Sequence, residues 1–185
     1  MGVILDLIAS MAVRGAIVYI VITMNIQLHE LLYEKAQHAI VKQNTATVAD
    51  IFRNDLRYLG YNVTGDVFKL ADTNRVRFLG DLSPGDANTT PDTIYYYVGP
   101  TSEMSETPNP DDRIMYRRVN SGTPVDIGHG VVTFSFKYYD GTGAVTTDLA
   151  SIKSLWVKIV MQGDRPINQF YPTSIWETDF HPGNI

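Results

Sequence analysis

The sequence predicts an α+β protein in which a long N-terminal helix carries an antiparallel β-sheet head. Three observations carry that prediction. Residues 3–26 are almost wholly apolar, with Asp6 and Arg14 the only charges, and no charge occurs from Gly15 to Leu28. From His29 to Leu59 there is no Pro or Gly, and apolar residues recur at helical spacing. From Tyr61 onward the pattern changes to alternation rich in Val, Ile, Tyr, Phe and Thr, the residues that fit a pleated half-buried surface.

The first element, 1–27, is long enough for a membrane span, which needs roughly 20 mostly apolar residues. A cleaved secretory signal fits poorly, because the start is not basic and the apolar run is too long. A charge inside a span is costly and marks a functional candidate by default. Asp6 and Arg14 are therefore the residues singled out here. They lie about 12 Å apart along one helix at the standard rise, too far for a direct pair within the chain. Staggered neighbouring helices would bring Asp6 of one copy to the N-terminal amine, or to Arg14, of another. An ordinary single-span anchor is the competing reading.

The second element, 28–60, continues the helix. Val41, Val48, Phe52, Leu56 and Leu59 fall on one face, with Lys42, Asp50, Arg53, Asn54 and Arg57 mainly off it. Val48, Phe52, Leu56 and Leu59 are expected to pack the helix against the head. Gly60 fits a C-terminal cap. The whole helix then runs from about residue 3 to about 59, on the order of 85 Å at 1.5 Å per residue.

The third element, 61–185, is the head. Expected strands are Val67–Leu70, Arg75–Leu79, Thr93–Val98, Ile114–Val119, Val131–Tyr139, Ser154–Met161 and Ser174–Phe180, separated by turn signals at Ser83-Pro84-Gly85, Asp140-Gly141 and Gly163-Asp164. The sheet is expected to pack on the amphipathic half of the helix.

The chain has 185 residues, no cysteine and a net charge of −5. The lack of cysteine excludes a disulfide framework, a thiol nucleophile and a cysteine zinc site. The negative balance argues against binding nucleic acid through phosphate neutralisation. Charges cancel within 1–60, five basic against five acidic, so all the net charge lies in the head. The Pro100–Asp112 loop holds four acids and no base; it reads as a solvated surface loop or as a contact loop between subunits.

No convergent chemistry emerges, and neither a metal nor a cofactor is expected. His29 and His38 are nine apart, wrong for a shared helical metal site, and His129 and His181 read as single surface histidines. Asp111-Asp112 and the acids Asp81, Asp86 and Asp92 lack calcium-loop spacing. Asn62-Val-Thr and Asn88-Thr-Thr match the N-glycosylation pattern and are read as chance. Tyr95-Tyr96-Tyr97 and Tyr138-Tyr139 suit the two faces of strands. Trp156 and Trp176 read as core or subunit-contact anchors.

The apolar helix with one embedded acid, followed by an amphipathic half, resembles type IV pilins and pseudopilins. Asp50 to Tyr61, DIFRNDLRYLGY, is similar to the Asp-Leu-Arg…Gly-Tyr signature that closes the helix of W-type minor pilins and J-type pseudopilins. Val131 to Gly143 with Ile152 to Met161 resembles the paired strands near their C-terminus. The resemblance implies that Asp6 stands in for the glutamate at the fifth mature position, which meets a neighbour's N-terminal amine. Asp6 is sixth from Met1 and fifth from Gly2, the acid is Asp rather than Glu, and the usual helix-kinking proline is absent. The numbering is expected to begin near the mature end, with a methylated N-terminus.

What the resemblance implies is a non-enzymatic structural subunit of a type IV pilus-like extracellular filament, waiting in the cytoplasmic membrane before assembly. Its partners would be further copies of itself, other pilins, the membrane and the pilus assembly machinery, with no nucleic acid. The alternatives are a minor tip or priming pilin, a type II secretion pseudopilin, or a monomeric membrane-anchored binding module.

Overall fold

A computed structural model describes residues 2–85 and 90–185. Met1, Asp86 and Asn88, named above, lie outside the described residues. Helix α1 spans Gly2–Leu56. No proline interrupts it. The chain divides into two compact units, Met1–Gln37 and His38–Ile185.

In the first unit the helix exposes its apolar side chains on every side, from Val3 at 83% exposed to Ile22 at 53%. An 18-residue window of α1 has a mean hydropathy of 2.0 and is 0% buried, so the helix is long and apolar enough to cross a membrane. Its backbone groups are satisfied internally, the condition for surviving in hydrocarbon.

The second unit begins with the last five turns of α1. Val41, Thr45, Val48, Ala49, Phe52, Asp55 and Leu56 are buried, at steps of three and four along one face. The helix ends at Leu56 rather than near Leu59. Tyr58 N–H donates to Asp55 and Leu59 N–H to Leu56, bonds of the tighter three-residue kind. Leu59 then bridges to Gly80, and Gly60 N–H donates to the Leu79 carbonyl. Gly60 has φ +76°, and a Cβ there would lie 2.7 Å from the Asn184 carbonyl oxygen. Its glycine thus serves to turn the chain into the sheet edge, where the sequence reading took it as a simple cap.

Among the described residues eight strands follow: β1 (Phe68–Ala71), β2 (Arg75–Gly80), β3 (Asp92–Val98), β4 (Met115–Val119), β5 (Val125–Gly128), β6 (Val131–Tyr139), β7 (Ser154–Gln162) and β8 (Thr173–Phe180). They form two antiparallel sheets, β1-β2-β3-β4-β5 and β6-β7-β8. The fold is therefore α+β, with a helix and antiparallel strands, and the seven expected strands are all present within a few residues of their expected bounds. The eighth, β5, is a short edge strand. Between β5 and β6 the chain turns through Gly130, whose φ is +84°. That break starts a second sheet where the sequence reading drew one.

Both sheets meet the helix at Phe52, which is 0% exposed. Its ring lies edge-on to Tyr96 of β3 at 4.8 Å and to Phe134 of β6 at 5.9 Å, and it also contacts Phe136 and Trp176. These edge-to-face pairs add to the roughly 1.5–3 kcal/mol expected from burying such a side chain. Gly128 allows β5 to pass Val48 closely; a Cβ there would sit 2.5 Å from Val48 Cγ2. The sheets are also tied directly, by Phe136 N–H to the Thr73 carbonyl and Tyr138 Oη to the Asp72 carbonyl.

Candidate functional site

The first candidate site is the exposed apolar helix of the N-terminal unit. Among its polar side chains, Ser10 Oγ donates to the Leu7 carbonyl, and Thr23 Oγ1 bonds the Tyr19 and Ile20 carbonyls. Such back-bonding hides a hydroxyl from an apolar surrounding. Asp6 and Arg14 have no equivalent: among the described residues neither makes a hydrogen bond or an ion pair. The chain does not bring them to each other. Both are exposed, and so is every residue from Gly2 to Ile22. An exposed apolar surface of this extent marks a membrane or protein contact.

Val48, Phe52, Leu56 and Leu59 belong to the second unit, all 0–1% exposed within the head core. Beside them is a polar clamp. Asp55 projects from the buried face of α1 and receives three hydrogen bonds: from Tyr96 Oη at 2.5 Å, from Arg117 Nε at 2.5 Å and from Arg117 Nη2 at 3.0 Å. The two-pronged arginine contact is the strong, geometrically specific form of such a pair. Hydrogen bonding to Asp55 raises the Arg117 pKa above its ordinary value. Burial first, then the Asp55 charge, holds the Tyr96 hydroxyl far above the usual tyrosine range, so it stays a donor. The clamp fixes the helix on β3 and β4. Sequence reasoning missed it, although one signal was present: Asp55 falls on the apolar stripe, three residues after Phe52.

The Pro100–Asp112 loop is pinned to the head. Residues Thr101–Met104 form a short 3₁₀ turn, and Glu103 accepts a bond from Tyr116 Oη at 2.9 Å. Asn109 is 2% exposed and donates to Gln162 Oε1 and the Gly163 carbonyl. Only Glu103, Glu106 and Asp111 of its four acids face solvent. The solvated-loop reading therefore fails for Asn109 and Asp112. Asp112 is 2% exposed, and its Oδ1 accepts no hydrogen bond. Burial, with the Asp164 charge adding, raises its pKa.

The sign of that shift sets a pH dependence. The folded head favours the protonated acid, so this group's stabilisation is complete below the ordinary aspartate pKa and is lost as pH rises through the folded value. Asp112→Asn mimics the protonated form. Thermal unfolding should therefore show Tm higher by about 2–4 °C at pH 7, with the gain vanishing near pH 3.5. A lower Tm at pH 7 would contradict this account of the buried acid.

The remaining sequence-derived candidates are dispersed. His29 and His38 are exposed on α1, and His129 contacts Asp126. Among the described residues no group of three or more His, Asp or Glu is placed to hold a metal ion. Of the three consecutive tyrosines, Tyr96 enters the core while Tyr95 and Tyr97 stack at 4.8 Å on the outer face; Tyr97 stacks on Tyr116 at 5.2 Å. Trp176 lies against Phe52 and under Arg53, and Trp156 lies under Lys137.

Compared with known proteins, the chain matches no family model and no curated protein.

Proposed function

We propose that this chain is a structural subunit of a type IV pilus-like extracellular filament, assembled through its N-terminal helix. One observation carries the reading: Gly2–Ile22 is apolar and exposed all round, and the two charges within it lack partners. A lone anchor helix has no use for Asp6. A helix that moves from lipid into a bundle of sister helices gives that carboxylate a cation on the neighbouring copy. The driving force is exchange of lipid contact for close helix packing, together with the charge pairing. A repeated contact that does not close on itself yields an open fibre. The head, held on its helix by Phe52 and the Asp55–Arg117 clamp, would face outward, and the subunit would do no catalysis.

Electron microscopy of material sheared from the cell surface, with mass spectrometry of the fibre band, tests the role. This chain should dominate long fibres. Traces of it beside a more abundant subunit would instead place it as a minor or tip component. Its presence only as a monomer in the membrane fraction would remove the filament reading altogether.

A further inference from the structure

We propose that the outer face of the five-stranded sheet carries a phosphate-binding site, formed by Arg77 and Arg118 on either side of Tyr95. This inference does not depend on the filament reading. The register creates the arrangement: Arg77 on β2 and Arg118 on β4 are both direct cross-strand partners of Tyr95 on β3. Both guanidinium groups lie over that one ring, at 4.6 Å and 5.3 Å from its centre. With Thr93, Asn120 and Ser121 they line a shallow depression.

Two features set these arginines apart from the other arginines of the sheet. Arg75 is paired with Asp72, and Arg117 is paired with Asp55. Arg77 and Arg118 make no ion pair among the described residues, and the Nε atom of each is buried without an acceptor. The free donor capacity of each side chain thus resides in its Nη groups. Two like charges brought onto one ring repel each other, and the head around them is acidic, ten bases against fifteen acids in 61–185. A compact anion settled between them neutralises both. One guanidinium fork satisfies the two oxygens of a carboxylate; two forks match the three free oxygens and double charge of a phosphate monoester. The acidity of the rest of the head disfavours a long polyanion and favours a single group. The same group occurs free in solution or on a lipid headgroup.

The test is calorimetric titration of the full chain, reconstituted in phosphatidylcholine nanodiscs, with glycerol phosphate at fixed ionic strength. Saturable binding is expected. The double variant Arg77→Gln/Arg118→Gln should weaken it by about 100-fold, since each charge-assisted contact is worth about tenfold or more. The charge-matched control Lys69→Gln/Lys153→Gln should leave it unchanged. Repeating the titration with phosphatidic acid, whose headgroup is a phosphate monoester, in the discs separates the sources. Unchanged affinity identifies a dissolved phosphate ester, and competition by the lipid identifies a headgroup. Absence of saturable binding by the native chain, or equal loss in the control variant, overturns the site.

Discussion

Replacing Asp6 with alanine is expected to abolish filament assembly while the chain still accumulates in the membrane at its normal level. Asp6 is an unpartnered acid within Gly2–Ile22, the wholly exposed apolar part of the helix. In a dry bundle it is tolerated only when a cation meets it, and removing one member of such a pair leaves the other buried and uncompensated. That penalty, about 3–5 kcal/mol per contact, weakens association by roughly 100- to 1,000-fold or more. It recurs at each subunit added. Insertion into lipid should not suffer, since alanine is easier to place in hydrocarbon than aspartate. Arg14→Ala separates the two candidate partners. If Asp6 meets the neighbour's N-terminal amine, Arg14→Ala fibres still form; if it meets Arg14, both variants fail alike. Immunoblots of sheared and membrane fractions read both outcomes. Normal fibre yield from Asp6→Ala contradicts the account.

The second large effect is expected at Asp55. Asp55→Ala strands the Tyr96 hydroxyl in the core, where Tyr96 is 0% exposed, and leaves the half-buried Arg117 guanidinium beside it unpaired. Breaking a buried pair by removing one partner costs about 3–5 kcal/mol. For a chain of this size that lowers Tm by on the order of 10 °C. The variant Asp55→Leu/Tyr96→Phe/Arg117→Met removes all the polar groups together and should recover most of the loss, because no charge is left unpaired. Arg117→Lys should behave more like the single loss than like a conservative change, since a lysine cannot supply the two-pronged contact. If Asp55→Ala unfolds within about 2 °C of the native chain, the clamp is not what seats the helix.

How far the sequence reveals this architecture depends on how local each signal is. The helical stripe is local: Val41, Val48, Phe52 and Leu56 recur at helical spacing, and all four are buried. Strand β6 matches its expected limits, Val131–Tyr139, because period-two alternation runs up to an Asp-Gly turn. In that turn Asp140 accepts bonds from Thr142 and Ala144. Strand β5 escapes notice because Val125–Gly128 is four residues long, with an Asp and a Gly among them, and its exposure shows no alternation. The split into two sheets is equally hidden, since which strand pairs with which is not written in periodicity. The Asp55–Arg117 clamp joins residues 62 apart in sequence, and the Arg77–Tyr95–Arg118 cluster depends on the register of three strands. Such sites become visible only once the topology is known. Asp6 and Arg14 are the opposite case: their singularity is compositional, and the sequence alone isolates them.

Electron cryo-microscopy of purified surface fibres tests the central claim most directly. The account predicts a helical reconstruction in which the Gly2–Gln37 helices of successive copies fill the fibre core. The Asp6 carboxylate of each copy should lie within ion-pair distance of a neighbour's amine or Arg14. Fibres whose core is built from another chain, or a protein recovered only as single copies in the membrane, would contradict it.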